Sequence, residues 1–213
     1  MRSMLALSAA CLGLMAIISL WGHGAIPEGA AVPMHWDVSG VVDRTGGRAE
    51  ALLAVPGMAL FITAVFAFVG RSRALRAGGT RRVLHVAWAG NLLLLLGLHA
   101  FLVWNGARGG GAQPVLVLYG ACALLLLIGN ALGKTRRNRF VGLRTPWSLR
   151  SEDAWVASNR ATGWGLSATA VLAAAGLAFG GPGAGALILL AGVAATMIVG
   201  TVISWQVARR GAA

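Results

Sequence analysis

The chain has 213 residues, of which 57% are hydrophobic and 11% are charged, and its mean hydropathy is +0.75. Soluble domains carry about 25% charged residues, so this composition excludes an ordinary soluble domain and indicates an integral membrane protein. The net charge of +12 does not indicate direct nucleic-acid binding, because nearly all basic residues lie in short loops beside apolar segments. In that position Lys and Arg set membrane orientation and meet anionic headgroups.

Six apolar segments each approach the roughly 20 residues that a helix needs to cross a bilayer. They cover residues 4–22, 51–70, 83–104, 115–132, 163–180 and 185–207. The first segment is expected to be a retained signal-anchor helix rather than a cleaved signal peptide, because only Arg2 precedes it and no A-x-A site follows it. The chain is therefore predicted to be an all-α integral membrane protein with six transmembrane helices. Cys11 and Cys122 fall inside these segments and are expected to be small core residues.

Basic residues are concentrated in alternate loops. The loop after the second segment carries five arginines and no acid: Arg71, Arg73, Arg76, Arg81 and Arg82. The loop after the fourth segment carries seven of the eighteen basic residues: Lys134, Arg136, Arg137, Arg139, Arg144, Arg150 and Arg160. The first loop is acidic, and the third and fifth contain one Arg or none. Because loops rich in Lys and Arg stay in the cytoplasm, both termini are predicted to be cytoplasmic.

Two arrangements of the helices are left open by the sequence. Dividing the chain after the third segment yields two three-helix halves of opposite orientation, which is the outline of an inverted repeat, although the halves share no clear residue-level match. Small residues also recur every fourth position in the last two segments: Gly176, Gly180, Gly192, Thr196 and Gly200. Such rows permit close helix packing, either inside one bundle or between copies in a homo-oligomer.

The acidic loop between the first two segments contains candidate binding residues at its centre. They are His35, Trp36, Asp37, Gly40 and Asp43. One interpretation is a metal or proton site formed by the His and the two Asp residues. The other is a compact cap in which Trp36 lies at the membrane interface and His35 bonds a loop carbonyl. A single His without an H-x-x-x-H partner favours the cap, so no metal or cofactor is predicted, and contact with a peptide or lipid is expected.

The basic loop, residues 133–162, contains more than an anchor requires. The basic residues, with Trp147 and Trp155 at headgroup depth, would suffice to anchor it. Four other residues add nothing to anchoring: Asn138, Gly142, Thr145 and Pro146. They indicate a defined conformation or a docking surface for a partner. Asn130, at the end of the preceding segment, is expected to form hydrogen bonds with backbone groups that are left unpaired there.

A short helix is predicted after Pro146. Ser148 or Ser151 is the expected N-cap, and two acidic residues in the first turn favour the helix dipole. Trp155 on one side and basic residues on the other make this helix amphipathic, so it is expected to lie along the membrane surface.

Polar residues inside the apolar segments are few. His85 and His99 lie on nearly the same face of the third segment, and Asn91 lies on another. No acidic residue occupies any segment and no hydrolase motif is present, so the chain is predicted not to be an enzyme. Two rivals remain: a small transporter or lipid-handling protein whose His99 and Asn91 face a wet cavity, and a membrane enzyme using His35 with an Asp.

The basic loop resembles the signature of the SdpI family, N-x-F-x-G-x-R-T-P-W-[ST]-L. The matching residues are Asn138, Phe140, Gly142, Arg144, Thr145, Pro146, Trp147, Ser148 and Leu149. Flanking residues also fit: Gly129, Asn130, Gly133, Lys134, Ser151, Trp155, Asn159, Arg160 and Gly163. The acidic loop is similar to the I-P-x-H-W-x-x-x-G-x-x-D pattern of an N-terminal domain that often accompanies the family. Here the matches are Val32, Pro33, His35, Trp36, Gly40 and Asp43, with Val32 in place of the usual Ile.

The resemblance implies a multi-pass immunity or signalling protein of the bacterial inner membrane. Its expected partners, besides the bilayer, are a secreted membrane-active toxin peptide outside and a transcriptional repressor or anionic lipid inside. It also implies three parts: a two-helix unit with the outer loop (1–70), a connecting part with the third helix (71–114), and a three-helix unit with the basic cytoplasmic loop (115–213).

Overall fold

The computed structural model describes residues 1–72 and 78–211 of the chain. Within that part, the elements are α1 (Arg2–Ala25), β1 (Val32–Trp36), β2 (Val42–Gly46), α2 (Arg48–Val69), α3 (Gly78–Ala107), α4 (Val115–Leu132) and α5 (Glu152–Arg210). These five helices are all long and apolar enough to cross a membrane, which agrees with the predicted helical membrane protein. Arg73 and Arg76 of the first basic loop lie outside the described residues.

Helix α5 doubles back on itself at Gly181. This residue has φ +81° and ψ −177°, a conformation open to glycine, and the following Pro182 has no N–H to continue a helix. We call residues 152–180 the first arm and residues 182–210 the second arm. Gly165 lies against Thr196 and Gly176 against Gly185, so the arms run antiparallel. They correspond to the last two apolar segments of the sequence. The number of membrane crossings and the side on which the termini lie stay predictions.

The small-residue rows of α5 are used inside the chain. Gly192 lies against Thr169 and Gly200 against Thr162, both across the two arms. Methyl-sized side chains and glycines allow the arms to approach closely where lipid supplies no hydrophobic driving force. These faces are therefore occupied by intramolecular packing, and a homo-oligomer would have to use another surface.

The remaining helices pack in sequence order. α1, α2 and α3 share a core that includes Met15, Val55 and Trp88, whose indole Nε1 donates a hydrogen bond of 3.1 Å to Ser8 Oγ. α4 packs against the first arm of α5, where Cys122 meets Ala173 and Leu177. Both cysteines are free and buried, as predicted.

The loop between α1 and α2 contains a β-hairpin, so the all-α prediction was incomplete. β1 and β2 pair antiparallel, with Val32 opposite Gly46 and Trp36 opposite Val42, and the register shifts on both sides of His35. We call residues 32–46 the outer hairpin. Its Val32 is completely buried in a cluster with Ile26 and Val103, which fixes the hairpin on the ends of α1 and α3.

The outer hairpin and the basic loop lie at opposite ends of the helices. The hairpin turn reaches Gly183 at the start of the second arm of α5. The basic loop contacts the other end of that arm, where Thr145 Oγ1 lies 2.7 Å from Ser204 Oγ. We call residues 133–151 the inner loop.

Candidate functional site

An exposed hydrogen-bonded pair of side chains connects the two strands of the outer hairpin. His35 Nδ1 lies 2.6 Å from Asp43 Oδ1, and the two side chains are 65% and 45% exposed. His35 therefore bonds a carboxylate, and the expectation of a loop carbonyl was wrong. Cross-strand charge pairs of this kind help to set the register of a hairpin.

Asp37 belongs to the hairpin turn rather than to this pair. Its Oδ1 accepts hydrogen bonds from Ser39 N (2.9 Å), Ser39 Oγ (2.6 Å) and Val41 N (2.9 Å). The Ser39 hydroxyl first, and the Val41 amide second, hold the pKa of Asp37 below its ordinary value. The proposed His–Asp–Asp metal or proton site is therefore not assembled, and no cluster able to hold a metal occurs among residues 1–72 and 78–211.

Gly40 and Trp36 attach the hairpin to its surroundings. Gly40 has φ +86°, which completes the turn, and its carbonyl accepts a hydrogen bond of 3.3 Å from Gln113 Nε2. Trp36 is half-buried, with its ring centroid 5.6 Å from that of Phe101 on α3. Trp36 thus packs on a helix rather than standing free at the interface.

Two of the four acidic residues around the hairpin are neutralised by arginines. Glu28 pairs with Arg48 and Glu50 with Arg44. The exposed tip of the hairpin is instead apolar, with Val38 51% and Val41 61% exposed. Sequence reasoning missed these two valines, because in the sequence they are ordinary β-formers within a polar loop.

Gly142, at the centre of the inner loop, packs against Trp155 and Asn159 at the start of α5. Gly142 has φ +123°, and a Cβ at this position would lie 2.6 Å from Asn159 Oδ1 and 2.8 Å from the Trp155 ring. Asn159 Oδ1 accepts from Leu143 N at 2.7 Å, and its Nδ2 donates to Trp155 O at 3.1 Å. The Trp155 indole donates to Thr135 O at 3.0 Å. Only glycine leaves room for this arrangement.

Asn138 organises the first turn of the inner loop. Its Oδ1 accepts from the backbone N–H groups of Phe140 and Val141, and its Nδ2 donates to the carbonyls of Arg136 and Val141. All four of these hydrogen bonds join the side-chain amide to nearby backbone groups. Asn138 is 8% exposed.

Thr145 and Ser148 organise the second turn and connect it to α5. Ser148 Oγ accepts from Thr145 N at 2.9 Å and donates to Leu143 O at 2.8 Å, while Thr145 Oγ1 accepts from Ser148 N at 3.0 Å. Ser204, on the second arm, completes the cluster. The sequence contained no local signal for Ser204, because it lies 59 positions from Thr145.

The predicted surface helix was wrong, although its cap was right. Ser151 is the N-cap, and its Oγ accepts from Ala154 N at 3.3 Å. The helix, however, continues without interruption into the first arm of α5. One face is buried at helical spacing: Ala154, Trp155, Ser158, Asn159 and Thr162. This face packs on the inner loop, which prevents the helix from lying flat on a membrane.

The other candidate residues of the inner loop remain exposed. They are Lys134, Arg144, Pro146, Trp147 and Arg160. Asn130, just before the loop, is also exposed and forms no side-chain hydrogen bond to the described residues. The apolar side chains of Phe140 and Leu149 are partly exposed among the basic groups. The buried motif residues thus fix the backbone, and the exposed ones form a basic surface with aromatic and apolar positions.

His99 is part of a structural bridge between α1, α2 and α3. Pro56 cannot donate to the Leu52 carbonyl, and Ser19 Oγ donates to it instead at 2.8 Å. Ser19 Oγ must then accept from His99 Nε2, 3.0 Å away, which also faces Met15 O at 3.2 Å. A protonated Nε2 cannot act as a base toward Ser19, so this pair is not a catalytic dyad.

The two residues expected to face a wet cavity differ in exposure. His99 is completely buried in the bridge. Asn91 is partly exposed, and its Nδ2 donates to Ala87 O of its own helix at 2.8 Å. The burial of His99 counts against the transporter alternative, and the position of Asn91 does not.

Comparisons with known proteins identify both motif regions. Residues 134–204 match the family described as the SdpI/YfhL protein family, and residues 10–60 match a domain of unknown function, DUF1648. "Immunity protein SdpI" of Bacillus subtilis (strain 168) is 23% identical over 164 residues, which cover 75% of this chain and 73% of that protein. No solved structure matches the chain.

Proposed function

We propose that this chain, whose residues 134–204 match the SdpI/YfhL protein family, protects its cell from a secreted membrane-active peptide. The observation that carries this proposal is the similarity to an immunity protein over three quarters of the chain. We propose a bacterial inner-membrane protein with six crossings, in which the arms of α5 form the last two and both termini are cytoplasmic.

The orientation is supported by the exposed cations at the inner-loop end. Lys134, Arg144 and Arg160 project there, and such residues are retained in the cytoplasm. The test uses a variant without Cys11 and Cys122, in which Val38 or Arg144 is replaced by Cys. A membrane-impermeant maleimide added to intact cells is expected to label only the first thiol. Labelling at position 144 alone would mean that the orientation is the reverse of the proposed one. Labelling at both positions would contradict a signal relay across the membrane.

The tip of the outer hairpin is the proposed contact surface for the peptide. Val38 and Val41 stand exposed beside the His35–Asp43 pair, while Glu28 and Glu50 pair with arginines. Such a surface suits an apolar peptide, which the two exposed valines can contact.

The second arm of α5 is the proposed route for a signal relay. Gly183, at the start of this arm, lies next to the backbone carbonyl of Val38 in the hairpin. Ser204, near the other end, forms a hydrogen bond with Thr145 of the inner loop. A shift of the hairpin would thus reach the inner loop through one helix. We propose that the exposed basic surface of that loop contacts a cytoplasmic partner, either a repressor with an acidic face or anionic lipid.

The experiment that tests protection is survival of a deletion strain exposed to membrane-active peptides. Complementation by the wild-type chain is expected to restore survival. Val38→Asp combined with Val41→Asp is expected to abolish protection at an unchanged protein level. Thr45→Asp, an exposed position on β2, is the control for adding negative charge to the hairpin. Unchanged sensitivity of the deletion strain to every peptide tried would overturn the proposal.

A further inference from the structure

An open apolar groove runs between α3 and α4 on the surface of the bundle. The two helices are in contact where a Cβ at Gly120 would lie 3.0 Å from Leu94 and where a Cβ at Gly90 would collide with Leu124. Less than one turn beyond Leu94, toward the hairpin end, a Cβ at Gly97 would meet nothing within 4 Å. The result is a groove of about 870 Å³ whose wall is left unfilled at Gly97.

The groove is apolar along its length and polar at one end. Ala100 and Phe101 of α3 and Leu116 and Val117 of α4 line it, and Trp104 and Gln113 lie at its outer end. From Gly90 to Trp104 its α3 wall rises by roughly 21 Å, at about 1.5 Å per residue. A single leaflet is about half of the roughly 30 Å hydrocarbon core. The groove is therefore long enough for an acyl chain that extends from headgroup depth to the bilayer centre.

Arg108 marks the polar end of the groove. Its Cζ lies 5.0 Å from the centroid of the ring of Trp104, a lining residue of the groove, so the guanidinium lies next to the groove without lining it. Arg108 is exposed and forms no ion pair with any acid among residues 1–72 and 78–211. Three acids at this end have other partners, and the fourth, Asp37, accepts hydrogen bonds within its own turn. The three pairs are Asp43 with His35, Glu28 with Arg48 and Glu50 with Arg44.

We infer that this groove is a binding site for an anionic phospholipid, with one acyl chain along Gly97 and the phosphate on Arg108. Guanidinium groups bind phosphate oxygens with two parallel hydrogen bonds, and the adjacent Trp ring favours headgroup depth. A second copy of this chain fits less well, because three of its acids at this end are already paired and the carboxylate of the fourth, Asp37, is held by its own hairpin turn. The lipid would fill the space between α3 and α4.

The test uses the full chain in mixed micelles and two phospholipids with identical acyl chains, phosphatidylglycerol and phosphatidylcholine. Retention of each lipid is measured by native mass spectrometry after purification. The wild-type chain is expected to retain phosphatidylglycerol over phosphatidylcholine by roughly fivefold, as one well-placed arginine near a membrane surface can supply. Arg108→Gln is expected to abolish this preference, and Gly97→Leu to reduce retention of both lipids.

Matched controls are present in the chain. Gly57 on α2 lies at a similar depth from the outer end and also has open space at its Cβ, so Gly57→Leu adds the same bulk outside the groove. Arg209 stacks on Trp205 at 5.1 Å near the C-terminus, so Arg209→Gln removes an equivalent cation–π contact elsewhere. Both controls are expected to retain lipid like the wild type.

Three results would overturn the inference. They are equal retention of both lipids by the wild type, wild-type retention in Gly97→Leu, and a lipid-independent cross-link between cysteines placed in the grooves of two copies. Arg108→Gln is on the surface, so its result stands even if Gly97→Leu folds poorly.

Discussion

The outer hairpin and the inner loop are held together by different kinds of polar contact. The hairpin relies on exposed groups: the His35–Asp43 pair and the bonds of Asp37 to its own turn. The inner loop relies on buried groups, among them Asn159 at 1% and Ser148 at 0% exposure. Exposed pairs contribute at most about 1 kcal/mol, whereas leaving a buried polar group unpaired costs about 1–3 kcal/mol. The hairpin can therefore adapt to a ligand, while the inner loop presents its cations from a fixed backbone.

The largest expected difference between the two regions comes from Gly→Ala substitutions. Gly142→Ala combines a positive φ with a clash against Asn159 and Trp155, so it should lower the free energy of unfolding by about 3 kcal/mol or more. Gly40→Ala has the positive φ but meets only the flexible Gln113 side chain closely, and about 1 kcal/mol is expected. Thermal unfolding in mild detergent measures both. Equal losses would contradict the idea of a more rigid inner loop.

A second effect concerns the buried amide of Asn159. Asn159→Ala leaves Leu143 N without its acceptor, and a loss of about 1–3 kcal/mol is expected. Asn130→Ala is the matched control, because that amide is exposed, and its effect should stay within about 0.5 kcal/mol. The same unfolding measurement applies. If Asn159→Ala leaves the free energy of unfolding unchanged, other contacts hold the loop backbone.

Two double-mutant cycles compare the pairs directly. The cycle for Thr145→Val and Ser204→Ala should yield a coupling of about 1 kcal/mol, since both hydroxyls are buried. The cycle for His35→Ala and Asp43→Ala should yield about 0.2–1 kcal/mol and decrease with salt, since both side chains are exposed. A coupling energy between His35 and Asp43 that exceeds this range and does not depend on salt would contradict the difference between the hairpin and the inner loop.

The smallest effect is a pH dependence confined to the hairpin turn. Because the folded-state pKa of Asp37 is lowered below 3.8, its contribution to stability is present at neutral pH. That contribution is lost as the pH falls through the folded-state value. Protection of the Ser39 and Val41 amides, measured against the intrinsic exchange rate at each pH, should then fall. Protection of the Phe140 and Val141 amides should not, because Asn138 does not titrate. Asp37→Asn should remove the pH dependence. If the pH dependence persists in Asp37→Asn, another group causes it.

Much of the architecture was predictable because it depends on local composition. The apolar segments, the break near Gly181, the Ser151 cap and the need for a defined loop around Gly142 all follow from residue types and spacing. The outer hairpin was not predictable in the same way, since two five-residue strands with register shifts on either side of His35 produce no clean alternation.

The apolar segments, the clusters of basic residues and the family motifs can all be read from the amino-acid sequence, because these are properties of composition and short spacing. The role of each motif residue depends instead on how the helices pack in the folded chain. Trp155 turned inward because Gly142 leaves room for its ring, and Thr145 found Ser204 because Gly181 reverses the chain and returns the second arm to the inner loop. Contacts between residues far apart in sequence depend on how the helices pack, and no local pattern encodes that packing.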